Sequence, residues 1–240
     1  MINDRNVKSV LVGLMLLPLL PGLLGAAPAL SGASGLVYIP TAESLRYKEY
    51  NVGLDVVYDS VTNRQSSLFY KANLGSFRGV EVGMVGGTQP NDGVYLNMKY
   101  YLLSDASHYP LGIALGLLNV TSASLSNFYM VASKRFPEGV DAHVGFLAAF
   151  PANRTDAFVM LGLEYFPFPL MSLVADTVGE GSDYLVNMGM RFYVMNNLQL
   201  RIYGLNIFDG IGRPSLGNVL PSDPAMVFGL VWTDFIKEKE

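Results

Sequence analysis

The sequence predicts an all-β fold, a single closed antiparallel transmembrane β-barrel of about 12 strands preceded by a signal peptide. Three observations carry this expectation. Half of the 240 residues are hydrophobic and only 15% are charged, against about 25% charged in soluble domains. After the first thirty residues no apolar run approaches the ~18 residues that a membrane-spanning helix needs. The apolar residues are instead dispersed by strict alternation, segment after segment, which is the strand period.

The N-terminus reads as an export address. Arg5 and Lys8 precede the run SVLVGLMLLPLLPGLLGAA, whose Pro18 and Pro21 would break a spanning helix. Small residues follow, so residues 1–29 are expected to be a signal peptide, cleaved near Ala29 or, alternatively, Ala33. Residues 30–45 form an entry segment, 46–235 the barrel, and 236–240 a charged tail.

The first strand sets the pattern. Tyr50, Val52, Leu54, Val56 and Tyr58 alternate with Glu49, Asn51, Gly53 and Asp55. Later segments repeat it. Leu68, Tyr70, Ala72 and Leu74 oppose Phe69, Lys71 and Asn73, and Val82 and Met84 oppose Glu81, Gly83 and Val85. Leu96, Met98 and Tyr100 oppose Tyr95, Asn97, Lys99 and Tyr101. The stretches 111–117, 140–148, 184–193, 198–204 and 225–235 alternate as cleanly, and 126–136, 156–166 and 169–178 less so. Their length, ~8–12 residues, crosses a bilayer when tilted. Turn chemistry separates them at Pro137-Glu138-Gly139, Pro167-Phe168-Pro169, Gly179-Glu180-Gly181 and Asn196-Asn197.

Period-2 patterning alone does not say which face meets lipid. Tyrosines and phenylalanines at the ends of the apolar stripes match interfacial girdles. Glycine and alanine interleave with charges on the other face, where a closed barrel needs room. The connections also sort by parity, with 207–224 long on one side and 137–139, 167–169 and 195–197 tight on the other. The apolar face is therefore assigned to outer-membrane lipid and the polar face to the lumen, with both termini periplasmic. Closure then requires the last strand, 225–235, to pair with the first. The chain is expected in the outer membrane of a diderm bacterium, with outer-membrane lipid and the barrel-assembly machinery as partners.

The segment SGLVYIPTAESL (34–45) resembles the G-L-x-x-x-P-T-A entry of YjbH-like outer-membrane proteins, through Gly35, Leu36, Pro40, Thr41 and Ala42. That resemblance implies a role in exopolysaccharide production or secretion and polysaccharide as a partner.

The lumen face carries Glu49, Asp55, Lys71, Glu81, Lys99, Asp141, Glu164, Asp176, Arg191 and Arg201. Glu81 and Lys99 flank the turn around Pro90 at equal spacing, so they are expected to face each other. Arg191 and Arg201 flank the turn at Asn196, predicting a positive patch with Asp176 as its nearest acid. Tyr95, Tyr101, Tyr193 and Tyr203 share the lumen face, where they could stack on sugar rings or serve as rim filler. Glu49, Asp55 and Asp59 share one face of one strand and read as a hydrated acidic wall rather than a calcium site, which needs six to eight oxygens.

No catalytic, metal or cofactor site is expected. His108 lies in a turn, and His143 is followed by Val144 and Gly145, with no nucleophile two residues on to share its face. A net charge of −4 gives no basic field for nucleic acid, and the absence of cysteine excludes disulfides and thiolate metal sites. The leading functional expectation is a non-enzymatic envelope barrel, a narrow channel for polysaccharide or small polar solutes. A sealed structural or adhesive barrel is the alternative, with a lipid-modifying enzyme behind both.

Overall fold

The computed structural model describes residues 26–59, 66–88, 93–103, 110–122, 126–151, 154–208 and 224–236. Twelve strands run in chain order: β1 (Glu49–Asp59), β2 (Ser67–Phe77), β3 (Val80–Gly87), β4 (Tyr95–Leu103), β5 (Gly112–Leu118), β6 (Asn127–Phe136), β7 (Val140–Ala149), β8 (Asp156–Phe168), β9 (Met171–Glu180), β10 (Asp183–Met195), β11 (Leu198–Leu205) and β12 (Ala225–Phe235). Each pairs antiparallel with its sequence neighbour, and β1 closes on β12, with Glu49 opposite Phe235 and Asp59 opposite Ala225. Closure leaves no open edge, which hydrocarbon requires of any spanning sheet.

The parity assignment holds around the wall. Leu54, Leu96, Val144, Leu161, Met188, Leu200 and Phe228 stand exposed on the outside, while Asn51, Asp55, Lys99, Asp176 and Arg201 are buried within. Aromatics collect toward both ends of the outer face, among them Tyr58, Tyr70, Tyr100, Phe136, Tyr165 and Trp232, as interfacial belts do. The barrel begins and ends at one rim, which also carries the tight turns 78–79, 137–139, 169–170 and 196–197. The short β9–β10 turn at 181–182 breaks the sorting on the opposite rim. The turn expected at 167–169 falls instead at 169–170, because β8 continues to Phe168 through a register shift between Tyr165 and Phe168. Residues 61–65, His108, most of the 207–224 connection and residues 237–240 lie outside the described part, as do residues 1–25 of the expected signal peptide.

The entry segment is not a lead-in to the wall. It lies inside the barrel. Every residue from Ala27 to Ala42 is buried, and the chain emerges at the rim only at Arg46 and Tyr47. Internal hydrogen bonds fold it back on itself: Leu30 N–H donates to Val37 O at 2.8 Å, and Thr41 N–H to Ser34 O at 3.2 Å. At the exit Lys48 adopts φ 65°, and its N–H donates to Gly75 O at 2.8 Å, which turns the chain from the lumen into β1.

Candidate functional site: the lumen and its N-terminal segment

The lumen is layered, and the layering is readable strand by strand. Near the rim where β1 begins and β12 ends, the inward positions are charged or polar: Glu49, Glu81, Lys99, Ser133, Asp141, His143, Glu164, Ser172, Arg191 and Arg201. Glycines follow on several strands. Toward the opposite rim every strand turns an apolar residue inward: Val57, Phe69, Val85, Tyr95, Leu118, Tyr129, Leu147, Phe158, Val178, Leu185, Leu205 and Val227, each no more than 5% exposed. Alternation continues through both layers, but the inner face changes chemistry along its length.

The N-terminal segment fits both layers. Its apolar side chains, Leu30, Leu36, Val37, Tyr38 and Ile39, belong to one continuous core with the apolar ring. Burying a side chain of this size contributes roughly 1.5–3 kcal/mol. Its backbone meets the polar layer. Tyr38 and Ile39 N–H donate to Asp176 Oδ2 at 2.6 and 3.0 Å. Ser34 N–H donates to Glu81 Oε1 at 2.9 Å, and Leu45 N–H to Glu81 Oε2 at 3.1 Å. Lys99 Nζ donates to the carbonyls of Ser34 and Glu43, both at 2.7 Å. Arg191 Nη2 donates to Gly35 O at 2.7 Å. Buried backbone groups need such partners, since each one left unmade costs about 1–3 kcal/mol.

Glycine supplies the room. A Cβ on Gly162 would stand 2.5 Å from Leu36 Cδ1 and 2.8 Å from Ile39 Cδ1. One on Gly53 would lie 3.2 Å from Pro28 Cγ, and one on Gly112 3.4 Å from Ala42 Cβ. The space that small residues on the inner face imply is taken up by this segment of the same chain.

The expected charges are all present on the lumen wall, but several of them meet different partners. Glu81 and Lys99 do face each other in the β3–β4 register, and Ser34 bridges them. Its hydroxyl donates to Glu81 Oε2 at 2.5 Å and lies 2.5 Å from Lys99 Nζ. Arg191 and Arg201 are cross-strand neighbours as expected, yet they form no free positive patch. Arg191 pairs with Glu164 at 3.2 Å, and Arg201 with Asp55 at 2.9 Å over Gly229 of the intervening β12. Asp176 serves neither as hydrogen-bond partner. The register sets it opposite Asn187, whose amide donates to it at 2.8 Å, and its other oxygen takes the two N–H groups of Tyr38 and Ile39.

The hydrated acidic wall is also corrected. Asp55 is fully buried and carries two ion pairs, with Lys71 and Arg201, because β2 beside β1, and β11 on the far side of β12, bring cations that spacing along β1 does not reveal. Glu49 instead accepts from Arg46 N–H at 2.8 Å. Nothing is described of the Asp59 side chain. Among the described residues no cluster of three metal-ligating side chains occurs.

Two of the four tyrosines, Tyr95 and Tyr203, are buried in the wall, and Tyr203 Oη accepts from Arg191 Nε at 3.0 Å. Tyr101 and Tyr193 remain partly open near the rim of the termini. Lumen-facing Arg135 holds Asp141 at 2.6 Å.

Sequence spacing missed one pairing. His143 Nδ1 lies 2.7 Å from Ser133 Oγ, its direct partner across β6–β7. That Oγ also accepts from Ala42 N–H at 2.8 Å. The Ser–His contact therefore anchors the segment at Ala42. The signal for it was cross-strand register, not an i, i+2 motif on one strand.

Two titratable groups of the segment are shifted. Burial, with Asp176 nearby, pushes the Tyr38 hydroxyl above its usual range, so it stays neutral. Burial opposes ionisation of Glu43, but His143, the Thr41 hydroxyl and Lys99 hold its carboxyl below the ordinary carboxylate value.

A closed twelve-stranded antiparallel barrel with an apolar exterior and aromatic belts is a transmembrane β-barrel of the outer-membrane class. Among solved structures it is similar to the NanC porin, at 11% identity and TM-score 0.56 over 78% of this chain and 100% of that one. It is also similar to the KdgM porin, at 8% identity and TM-score 0.53 over 76% of this chain and 98% of that one. At such identities the likeness is one of fold, a porin-type barrel. No protein-family model and no curated protein matches the sequence. With its outer face built for lipid, the barrel belongs in the outer membrane of a Gram-negative, diderm bacterium.

Proposed function

We propose that this chain is a non-enzymatic outer-membrane barrel whose passage is closed by its own N-terminal segment, rather than an open diffusion pore. The observation that carries the reading is the complete burial of residues 27–42 inside the barrel. The apolar ring supports it, since a water-filled channel needs a polar lining and an apolar constriction sheds water.

On this reading residues 26–45 are a plug, tethered at the periplasmic rim through Arg46, Tyr47 and Lys48. Its resemblance to the YjbH-like entry motif supports envelope polysaccharide as the material handled. Passage of a polar saccharide then requires the plug to withdraw toward the periplasm. Planar-bilayer conductance is the test. The native barrel should be nearly silent at low voltage, and Asp176→Asn with Glu81→Gln, which weakens the grip on Ser34, Tyr38, Ile39 and Leu45, should conduct or flicker. Steady conductance of the native protein would refute the plug.

A further inference from the structure

Five backbone carbonyls at the start of the lumenal segment each meet a different donor of the barrel wall. Asn51 Nδ2 donates to Ala26 O at 2.6 Å, and Arg201 Nη1 donates to Pro28 O. Lys71 Nζ donates to Ala29 O at 3.0 Å. Asn97 Nδ2 donates to Ser31 O at 3.2 Å, and Asn73 Nδ2 to Gly32 O at 2.9 Å. All five donors are buried, none more than 4% exposed. Ala26 is partly buried, and every residue from Ala27 to Ala42 is buried.

A wall with one donor per carbonyl is fitted to a chain that contains those carbonyls. Removing residues 1–29 would take away the acceptors at Ala26, Pro28 and Ala29, and removing 1–33 would take all five. Lys71 and Arg201 would then be left with only their shared Asp55, two cations on one carboxylate in a buried site. A buried donor without an acceptor bears the full desolvation cost of the group. The small-residue triplet Ala27-Pro28-Ala29 looks like a leader-peptidase site in one dimension, but in three dimensions it is part of the barrel's interior.

We infer that the export leader is removed no later than the Gly25–Ala26 bond, so that the processed chain keeps the Ala26 carbonyl, and not at Ala29 or Ala33. The step is a hydrolysis by a leader peptidase. The C–N bond breaks, water supplies the hydroxyl of the leader's new carboxyl group, and the freed amine takes a proton to become the ammonium of the processed chain.

The test is the intact mass and N-terminal sequence of the full-length gene product recovered from isolated outer membranes. A processed chain that starts at Ala26 or upstream of it supports the inference. A start at Ala27 or later, with Leu30 and Ser34 the chief rivals, overturns it, and so does retention of Met1. The inference rests on the lumenal segment acting as the plug, and the two fail separately. A start at Ala26 in a freely conducting barrel would refute the plug alone. A start at Leu30 in a silent barrel would refute the processing site alone.

Discussion

Gly162 of β8 lies directly against Leu36 of the lumenal segment, so close that a Cβ on the glycine would stand 2.5 Å from Leu36 Cδ1. The backbone there is ordinary strand, so the absence of a side chain serves the contact rather than the turn of the chain. Replacing Gly162 with Leu should force Leu36 and Ile39 off the wall without disturbing the lipid face. Overpacking of a close contact costs about 1–3 kcal/mol. We expect a lower urea midpoint in detergent, retained heat-modifiable gel migration, and new conductance in a planar bilayer. A variant as silent and as stable as the native barrel would show that this contact does not hold the segment.

Asp55 neutralises both Lys71 and Arg201 with no exposure of any of the three side chains. Changing Asp55 to Asn leaves two buried cations on a neutral amide. Breaking a buried ion pair by removing one partner costs about 3–5 kcal/mol. Refolding yield in detergent micelles should fall sharply. Partial recovery on adding Lys71→Met, which leaves Arg201 as the one cation without its carboxylate, would show that unpaired charge and not lost shape was responsible.

Leu147 faces the lumen of β7 at 0% exposure. If that part of the lumen were water-filled, Leu147→Ala would be almost neutral. Within a packed core the same change costs about 2–5 kcal/mol. A denaturant titration distinguishes the two. Leu54→Arg on the opposite, lipid-facing side is expected to cost about 2–4 kcal/mol near the midplane, so both faces of the wall should prove intolerant for different reasons.

This double intolerance shows how far the sequence could be read. Alternation made the wall legible, because period 2 is a property of each strand alone. It located all twelve strands within a few residues, and the closure of β12 on β1 followed from the lipid requirement. Asn97 and Asn187 illustrate what stayed hidden. Both are polar residues on the inner face, and by pattern alone an arginine at either position looks harmless. In the folded chain Asn97 donates to Ser31 O and accepts from Asn119 N–H. Asn187 donates to Asp176 and accepts from Asn206 N–H. The Ser31 contact depends on what occupies the lumen and the others on how neighbouring strands align, and both are long-range facts. The occupant, residues 26–45, has no strand or helix period, so nothing local marked it as interior. The glycines at 53, 112 and 162 signalled empty space but not its tenant.

Glu43 gives the filled lumen a pH dependence with a definite sign. Its carboxyl is held below the ordinary range, against burial, by His143, the Thr41 hydroxyl and Lys99. A carboxylate depressed by folding contributes stability that is fully present above its unfolded value, about 4.3. That contribution fades as pH falls through the lower folded value. Other carboxylates titrate in the same window, so the native curve alone does not isolate Glu43. The comparison that does is native protein against Glu43→Gln, with urea midpoints measured in detergent from pH 3 to pH 7. Above pH 5 the variant should be the less stable of the two, and the gap should narrow as pH falls below the unfolded carboxylate value toward the lower folded one. If the gap held constant across the range, the charge of Glu43 would contribute nothing to holding the segment, leaving only its backbone carbonyl to Lys99.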